Sequence, residues 1–350
     1  MTENRIDYEG KEVHVGIDVH KKTYSVYCLC EGQLLKKATM PAIPAALIGT
    51  LRKYFPGAKI HSAYEAGFSG LVLHRILSSH GINNIVVNAS SIEVAANDKV
   101  KTDKRDCRKI ATQLAAGRLR GIFVPSEEQE QERILTRTRE QLVRARTRLG
   151  LQFKSRLYQF GLIAADDERE MSQKFMSSYL GMDLASRLKQ SLSTIHKIWK
   201  FINEEIKGLE KEMKEQSSLD KNETVYRSVP GIGAVSSRVL SNELGDMSQF
   251  RNERAVFSHT GLIPSEYSSG GNRRQGHITR QGSARVRWIL TEAAWRAIRE
   301  DKKLAGDFNR IALRAGKKKA IVAIARKLIG RIRACFRTGL LYELNFGLAA

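Results

Sequence analysis

The chain has 350 residues, with 59 Lys and Arg against 37 Asp and Glu, a formal net charge of +22. That charge favours a nucleic-acid backbone or an anionic membrane surface, while 42% hydrophobic residues exclude a tail-like basic chain and imply folded domains. No apolar run approaches the roughly 18–20 residues of a membrane span, and the polar start MTENRIDYEG lacks the pattern of a signal peptide. A cytoplasmic protein without membrane contact is expected.

The elements begin with strands. EVHVGIDV and TYSVYCLC are apolar and β-branched, joined by HKK, and QLLKKATM follows a Glu31-Gly32 turn. A helix is expected over 43–55 and a strand in AKIHSAYE, ending at Glu65. A helix from Gly70 to His80 has Leu71, Leu73 and Leu77 on its apolar face, and NNIVVN is a further strand. A helical pattern runs from Thr102 to Leu119. Periodicity supports an α/β domain over 1–125, and three strands followed by alternating helix and strand is the order of a ribonuclease H-like sheet. Cys28, Cys30, Cys107 and Cys335 show no paired CxxC units, so reduced, buried thiols are expected rather than zinc.

Residues 126–220 read differently. Ser126 and Gln129 form a capping-box pattern. Leu135, Leu142 and Leu149 recur every seven residues, and Leu188, Leu192, Ile195, Trp199, Ile202, Ile206, Leu209 and Met213 step by fours and threes. This is a heptad seam, and it predicts a long antiparallel helical coiled-coil arm over 127–218, with the DDERE stretch and Met171–Gly181 in the turn. The first helix carries Arg133, Arg137, Arg139, Arg144, Arg146, Arg148 and Arg156. They form either a solvated face or a nucleic-acid contact, for which Arg144 and Arg148 are the candidates.

Residues 221–350 predict a mainly helical third domain. It has the largest share of the charge, net +14 against +7 over 1–125 and +1 over 126–220. Its opening SVPGIGAVSSRVL reads as a tight turn or as a phosphate-approaching hairpin. In GKKKAIVAIARKLIGRIRACFR, Ile321, Ile324, Leu328 and Ile332 are expected to face the core. Lys317, Lys318, Lys319, Arg326 and Lys327 are left toward phosphate.

Two constellations carry chemistry. Asp18 lies within an apolar strand, where an acid is costly unless paired or metal-bound, and Glu65 ends another strand. Asp103 and Asp106 are three apart on a helix and share a face, with Asp98 a less well-placed substitute. Such acids can hold Mg²⁺, or Mn²⁺, against a phosphodiester; taken singly, each reads equally as a surface or capping carboxylate. The second is GLIPSEYSSGGNRRQGHITRQGSARVRWIL, where Ser268 and Ser269 precede Gly270-Gly271 among Arg273, Arg274, Arg280, Arg285 and Arg287. A serine there can attack phosphorus while the cations neutralise phosphoryl charge, with His277 able to assist proton transfer. The plainer reading is a Gly-Ser loop with phosphate-binding arginines.

As an ordered set, VGIDVHK, YEAG, KTDKRDCRKIA, SVPGIG, GLIPSEYSSGG, RQGHITRQGSARVRWIL and KKKAIVAIARKL resemble the DEDD transposases of the IS-one-ten insertion-sequence family, related to the Piv DNA invertases. The resemblance covers nearly the whole chain and is weakest over 160–220. It implies a RuvC-like domain over 1–125, a coiled-coil arm over 126–220 and a C-terminal transposase domain over 221–350. It carries the four metal-binding acids to Asp18, Glu65, Asp103 and Asp106, and the nucleophile to Ser269, with Ser268 as the alternative. It also implies a prokaryotic recombinase that forms a phosphoserine bond without a nucleotide cofactor. Its expected partners are donor and target DNA, a structured noncoding guide RNA and further copies of itself, from dimer to tetramer. The composite of acids and serine would then form between protomers. The alternatives are a RuvC-like Mg²⁺-dependent structure-specific endonuclease, which needs no serine, and a nucleic-acid-binding protein without catalysis.

Overall fold

The apolar runs at the start of the chain form three antiparallel strands, β1 (Glu12–Val19), β2 (Thr23–Cys30) and β3 (Gln33–Pro41). Glu31 and Gly32 both take positive φ, 49° and 79°, the geometry of a two-residue hairpin turn. These coordinates are a computed structural model that describes residues 8–93, 103–217, 220–269, 272 and 274–345, with the Asp103, Lys104 and Ser217 side chains outside the description. The chain divides into two units, Met1–Pro125 and Ser126–Ala350.

In the first unit, α1 (Pro44–Tyr54), β4 (Lys59–Glu65), α2 (Val72–Ser79), β5 (Asn83–Val87) and α3 (Asp103–Ala115) follow. The sheet order is β3-β2-β1-β4-β5. β4 runs parallel to β1, and β5 parallel to β4. This mixed five-stranded sheet is consistent with a ribonuclease H-like fold. Val13, Val15, Ile17, Val26, Ile60 and Tyr64 point to one face, packed with Leu47, Leu51, Leu73 and Leu77 of α1 and α2. Cys107, Ile110 and Ala111 of α3 pack on the other face against Tyr27, Leu29, Ala63 and Val87. With both faces covered, seven of the eight β2 residues are buried, which is why that strand reads as a nearly unbroken apolar run. All four cysteines are free and buried.

The second unit opens with α4 (Glu127–Gln159), capped by the Ser126–Gln129 box, then α5 (Gln173–Leu180) and α6 (Ser186–Ser217). Arg139 pairs with Glu210, Arg146 with Asn203, and Gly150 lies beside Trp199. As the numbers rise along α4 they fall along α6, so the helices run antiparallel. The α6 seam is buried at Leu188, Leu192, Ile195, Trp199, Ile206 and Met213. The α4 side differs from the heptad reading. Leu135, Leu142 and Leu149 are only half-buried, while Thr136, Gly150, Phe153 and Leu157 are buried. Near Gly150 the Trp199 ring and Met171 occupy the space a leucine would need.

The remaining elements are α7 (Lys221–Arg227), α8 (Ala234–Leu244), α9 (Glu253–Thr260), the hairpin β6 (Pro264–Glu266) and β7 (Gln275–Ile278), α10 (Ala284–Glu300), α11 (Lys302–Ala315) and α12 (Lys317–Thr338). Their core includes Leu240, Leu244, Val256, Leu290, Ala294, Ile321, Ile324, Leu328 and Ile332. Gly231 of the SVPGIG turn has φ 86°, and a Cβ there would meet Arg296 Cβ at 2.8 Å. Among the described residues no helix is long and apolar enough to cross a membrane.

The β1–α3 contact yields a stability prediction. A Cβ on Gly16 would fall within 2.5 Å of the Ala111 nitrogen, and closer still to the Cys107 carbonyl. Both are backbone atoms, so α3 itself must move. Gly16→Val is expected to destabilise by about 1–3 kcal/mol, whereas Gly49→Ala, in open space within α1, should stabilise by about 0.5–1 kcal/mol. Thermal unfolding of the two variants beside the parent checks the contrast.

Candidate active site

The acids of the first unit sit where strands end. The β1–β4 register pairs Ile17 with Tyr64, so Asp18 and Glu65 come next, side by side on neighbouring parallel strands. Strand alternation puts Asp18 on the Gly16 face, the face covered by α3. The absent side chain at Gly16 lets the α3 backbone lie directly over β1. Asp106 therefore stands beside Cys107, whose carbonyl rests over Gly16. Asp18 is near enough to affect that thiol. Burial first, then the Asp18 charge, push Cys107 up to about 11.

Sequence reading missed one neighbour, His20, whose Nε2 donates to Asp18 Oδ2 at 3.2 Å. Its signal was the D-x-H spacing at the strand end. Asp106 receives Lys109 Nζ at 3.5 Å. Glu65 is exposed, and Asp106 is partly so. The Asp103 side chain and Asp98 lie outside the described residues. Among the described residues no three His, Cys, Asp or Glu side chains group in a way that could hold a metal. The donor chemistry of the set is nonetheless all carboxylate oxygen, which suits a hard divalent cation.

In the second unit, Tyr267 N donates to Arg274 O at 2.9 Å and Thr279 N to Ile263 O at 2.8 Å, extending the β6–β7 hairpin at both ends. At its tip Asn272 N donates to Ser269 O at 3.1 Å. Gly270, Gly271 and Arg273 lie outside the described residues. The two serines differ. Ser268 Oγ donates to Glu266 Oε1 at 2.8 Å and accepts from Arg274 N at 3.2 Å. The Ser269 side chain is exposed, and among the described residues its hydroxyl has no hydrogen-bond partner. Tyr267 is 80% exposed beside it.

The hairpin's base is held by the rest of the domain. Gly261 ends α9 in the left-handed region, and Gly282 (φ 128°) lies against the His259 carbonyl, where any Cβ would collide. Arg287 Nη1 donates to Thr260 O at 3.0 Å and Gly282 O at 3.1 Å. Arg285 donates to Glu243 Oε1 at 2.9 Å and pairs with Glu140 of α4. Arg137 joins the same Glu243, and Arg133 Nε donates to Asn242 O at 2.6 Å. Many of the cations singled out by sequence thus serve internal contacts. Lys327 pairs with Asp307 and Arg326 lies 4.5 Å over the Phe257 ring, while Arg144 is exposed and pairs with Glu140 one turn back on its own helix. Arg148, Arg274, Arg280, His277 and Lys317, Lys318 and Lys319 are exposed.

This division predicts two classes of variant. Arg285→Ala and Arg287→Ala should each lower stability by about 1–3 kcal/mol, because carboxylates or carbonyls lose a charged donor. Arg274→Ala and Arg280→Ala should stay within about 0.5 kcal/mol of the parent. Denaturant titration of the four variants checks it.

Comparison with known proteins matches both regions. A DEDD model of the IS110 group, described as Transposase, covers residues 15–161, and a model described as Transposase IS116/IS110/IS902 family covers 224–309. The first spans Asp18, Glu65, Asp103 and Asp106; the second spans Ser268 and Ser269. The transposase for insertion sequence element IS1533 of Leptospira borgpetersenii is 28% identical over 347 residues, 93% of this chain and 96% of that protein. The transposase for insertion sequence element IS1328 of Yersinia enterocolitica is 24% identical over 80% of this chain and 82% of its own length. The transposase for IS1111A of Coxiella burnetii is 26% identical over 65% and 64%. With two models matched in order and relatives aligned along most of its length, the chain is similar to transposases of the IS116/IS110/IS902 family.

Proposed function

We propose that this transposase of an IS110-type insertion sequence cuts and rejoins DNA through a phosphoserine intermediate at Ser269. The observation that carries the reading is the contrast at the hairpin tip. Ser268 has its hydroxyl engaged as donor and acceptor, while Ser269 is exposed and, among the described residues, its hydroxyl has no hydrogen-bond partner. In the proposed step Ser269 Oγ gives up its proton to a base and bonds to phosphorus as one P–O ester bond to deoxyribose breaks. The departing sugar oxygen takes up a proton. Attack by the hydroxyl of another strand reverses the exchange, restores a phosphodiester and frees the serine. The phosphodiester count is unchanged, so no nucleotide is needed to drive religation.

Asp18, Glu65, Asp103 and Asp106 are the residues that would hold Mg²⁺ or Mn²⁺. The chemistry such an ion supplies is neutralisation of charge on phosphoryl oxygens. Exposed Arg274, Arg280, Arg148 and Lys317, Lys318 and Lys319, together with Arg273, would contact nucleic-acid backbone. Arg285, Arg287, Arg326, Lys327 and Arg144 contribute through the contacts they already make. The wider reading includes a coiled-coil function for the α4–α6 pair, a structured noncoding RNA as guide, donor and target DNA as substrates and a homo-oligomer of two to four chains in the bacterial cytoplasm. These follow the family resemblance.

Ser269→Ala should reduce covalent protein–DNA adduct by roughly a thousandfold or more, read on denaturing gels with end-labelled element DNA. EDTA and Asp106→Asn should also abolish strand cleavage. Mg²⁺-dependent cleavage that persists without any adduct would instead indicate hydrolysis by a RuvC-like endonuclease. Each of Arg274→Ala and Lys318→Ala should weaken binding alike across sequences and reduce the log–log salt slope by about one, measured by fluorescence anisotropy from low to moderate salt.

A further inference from the structure

We propose that Ser268 and Glu266 form a positioning lock that presents Ser269 for attack; this rests on the reading of Ser269 as nucleophile. Glu266 and Gln275 are paired across the hairpin. Glu266 Oε1 accepts from Ser268 Oγ at 2.8 Å, and Oε2 accepts from Gln275 Nε2 at 3.5 Å. The Ser268 oxygen in turn accepts from the Arg274 amide at 3.2 Å, next to the Tyr267 N to Arg274 O bond at 2.9 Å. One hydroxyl thus joins both strands at the last position before the glycine-rich tip.

Along an extended segment successive side chains point to opposite faces. Glu266 and Ser268 are two apart and meet on one face. Ser269 follows on the other, with its carbonyl held by Asn272 N at 3.1 Å. A carboxylate-assisted bond is stronger than a neutral one, so the lock holds Ser268 in place and with it the start of Ser269. The same arrangement disfavours Ser268 as nucleophile. Its oxygen is occupied by an amide donor, and the neighbouring carboxylate repels an approaching phosphate. Glu266 is an acid kept within a basic hairpin because it acts on the protein rather than on DNA.

The test uses the full chain with element DNA and its RNA, and compares adduct formation at saturating DNA. Ser268→Ala and Glu266→Ala should form the Ser269 adduct roughly ten- to hundredfold more slowly, as expected for a misplaced nucleophile, with DNA affinity changed by less than about twofold. Ser268→Thr and Glu266→Gln, which keep an oxygen acceptor or hydroxyl in place, should recover most of the rate. A merely structural role would not produce this rescue at constant affinity. Parent rates in both alanine variants overturn the lock and leave Ser269 as nucleophile. Adduct lost in Ser268→Ala but retained in Ser269→Ala overturns both readings, as does the absence of any adduct in the parent.

Discussion

The backbone of α3 rests on β1 through a position that has no side chain. Gly16 brings the Cys107 carbonyl and the Ala111 amide against the strand. The placement of Asp106 on the face that carries Asp18 depends on that approach. The strand continues to Asp18, the next parallel strand ends at Glu65, and the helix carries Asp103 and Asp106 at its start. An ordinary side chain at position 16 would lift the helix away from the sheet edge where the acids stand. The apolar cluster of Tyr27, Leu29, Cys107 and Ala111 secures the same contact from the β2 side.

The second unit solves a related problem with charge rather than with a missing side chain. A short exposed hairpin must be held firmly if one of its residues is to react. Its base is clamped by Arg287 on two carbonyls, and the start of α10 is tied through Arg285 to Glu243 and Glu140. The antiparallel α4–α6 pair is therefore linked to the hairpin's support through ion pairs. Breaking a part-buried pair leaves a charge without its partner, so these arginines matter to the fold before they matter to any ligand.

Much of this was legible in the residues. Alternation and apolar runs located the strands, and the Glu31-Gly32 pair located the first turn. The α6 seam was legible because its apolar residues face one side of a long helix. The α4 seam was not, because there Arg139, Arg146 and the Gly150–Trp199 contact make much of the interface. Nor can sequence separate a phosphate-binding arginine from one that meets Glu140 in a distant helix. Arg285 and Arg274 look alike in the motif and differ completely in surroundings. The two serines posed the same difficulty, since only the hairpin's hydrogen bonds distinguish a hydroxyl engaged at both ends from one left uncommitted. The D-x-H spacing of Asp18 and His20 gains its meaning only with the end of β1 at Val19, between the two bonded residues.

The most direct measurement is tandem mass spectrometry of peptides from the protein trapped in the act of joining DNA and digested to a single attached nucleotide. The account predicts a phosphonucleotide on Ser269. A nucleotide on Ser268 or any other residue, or cleaved DNA with no modified peptide, would contradict it.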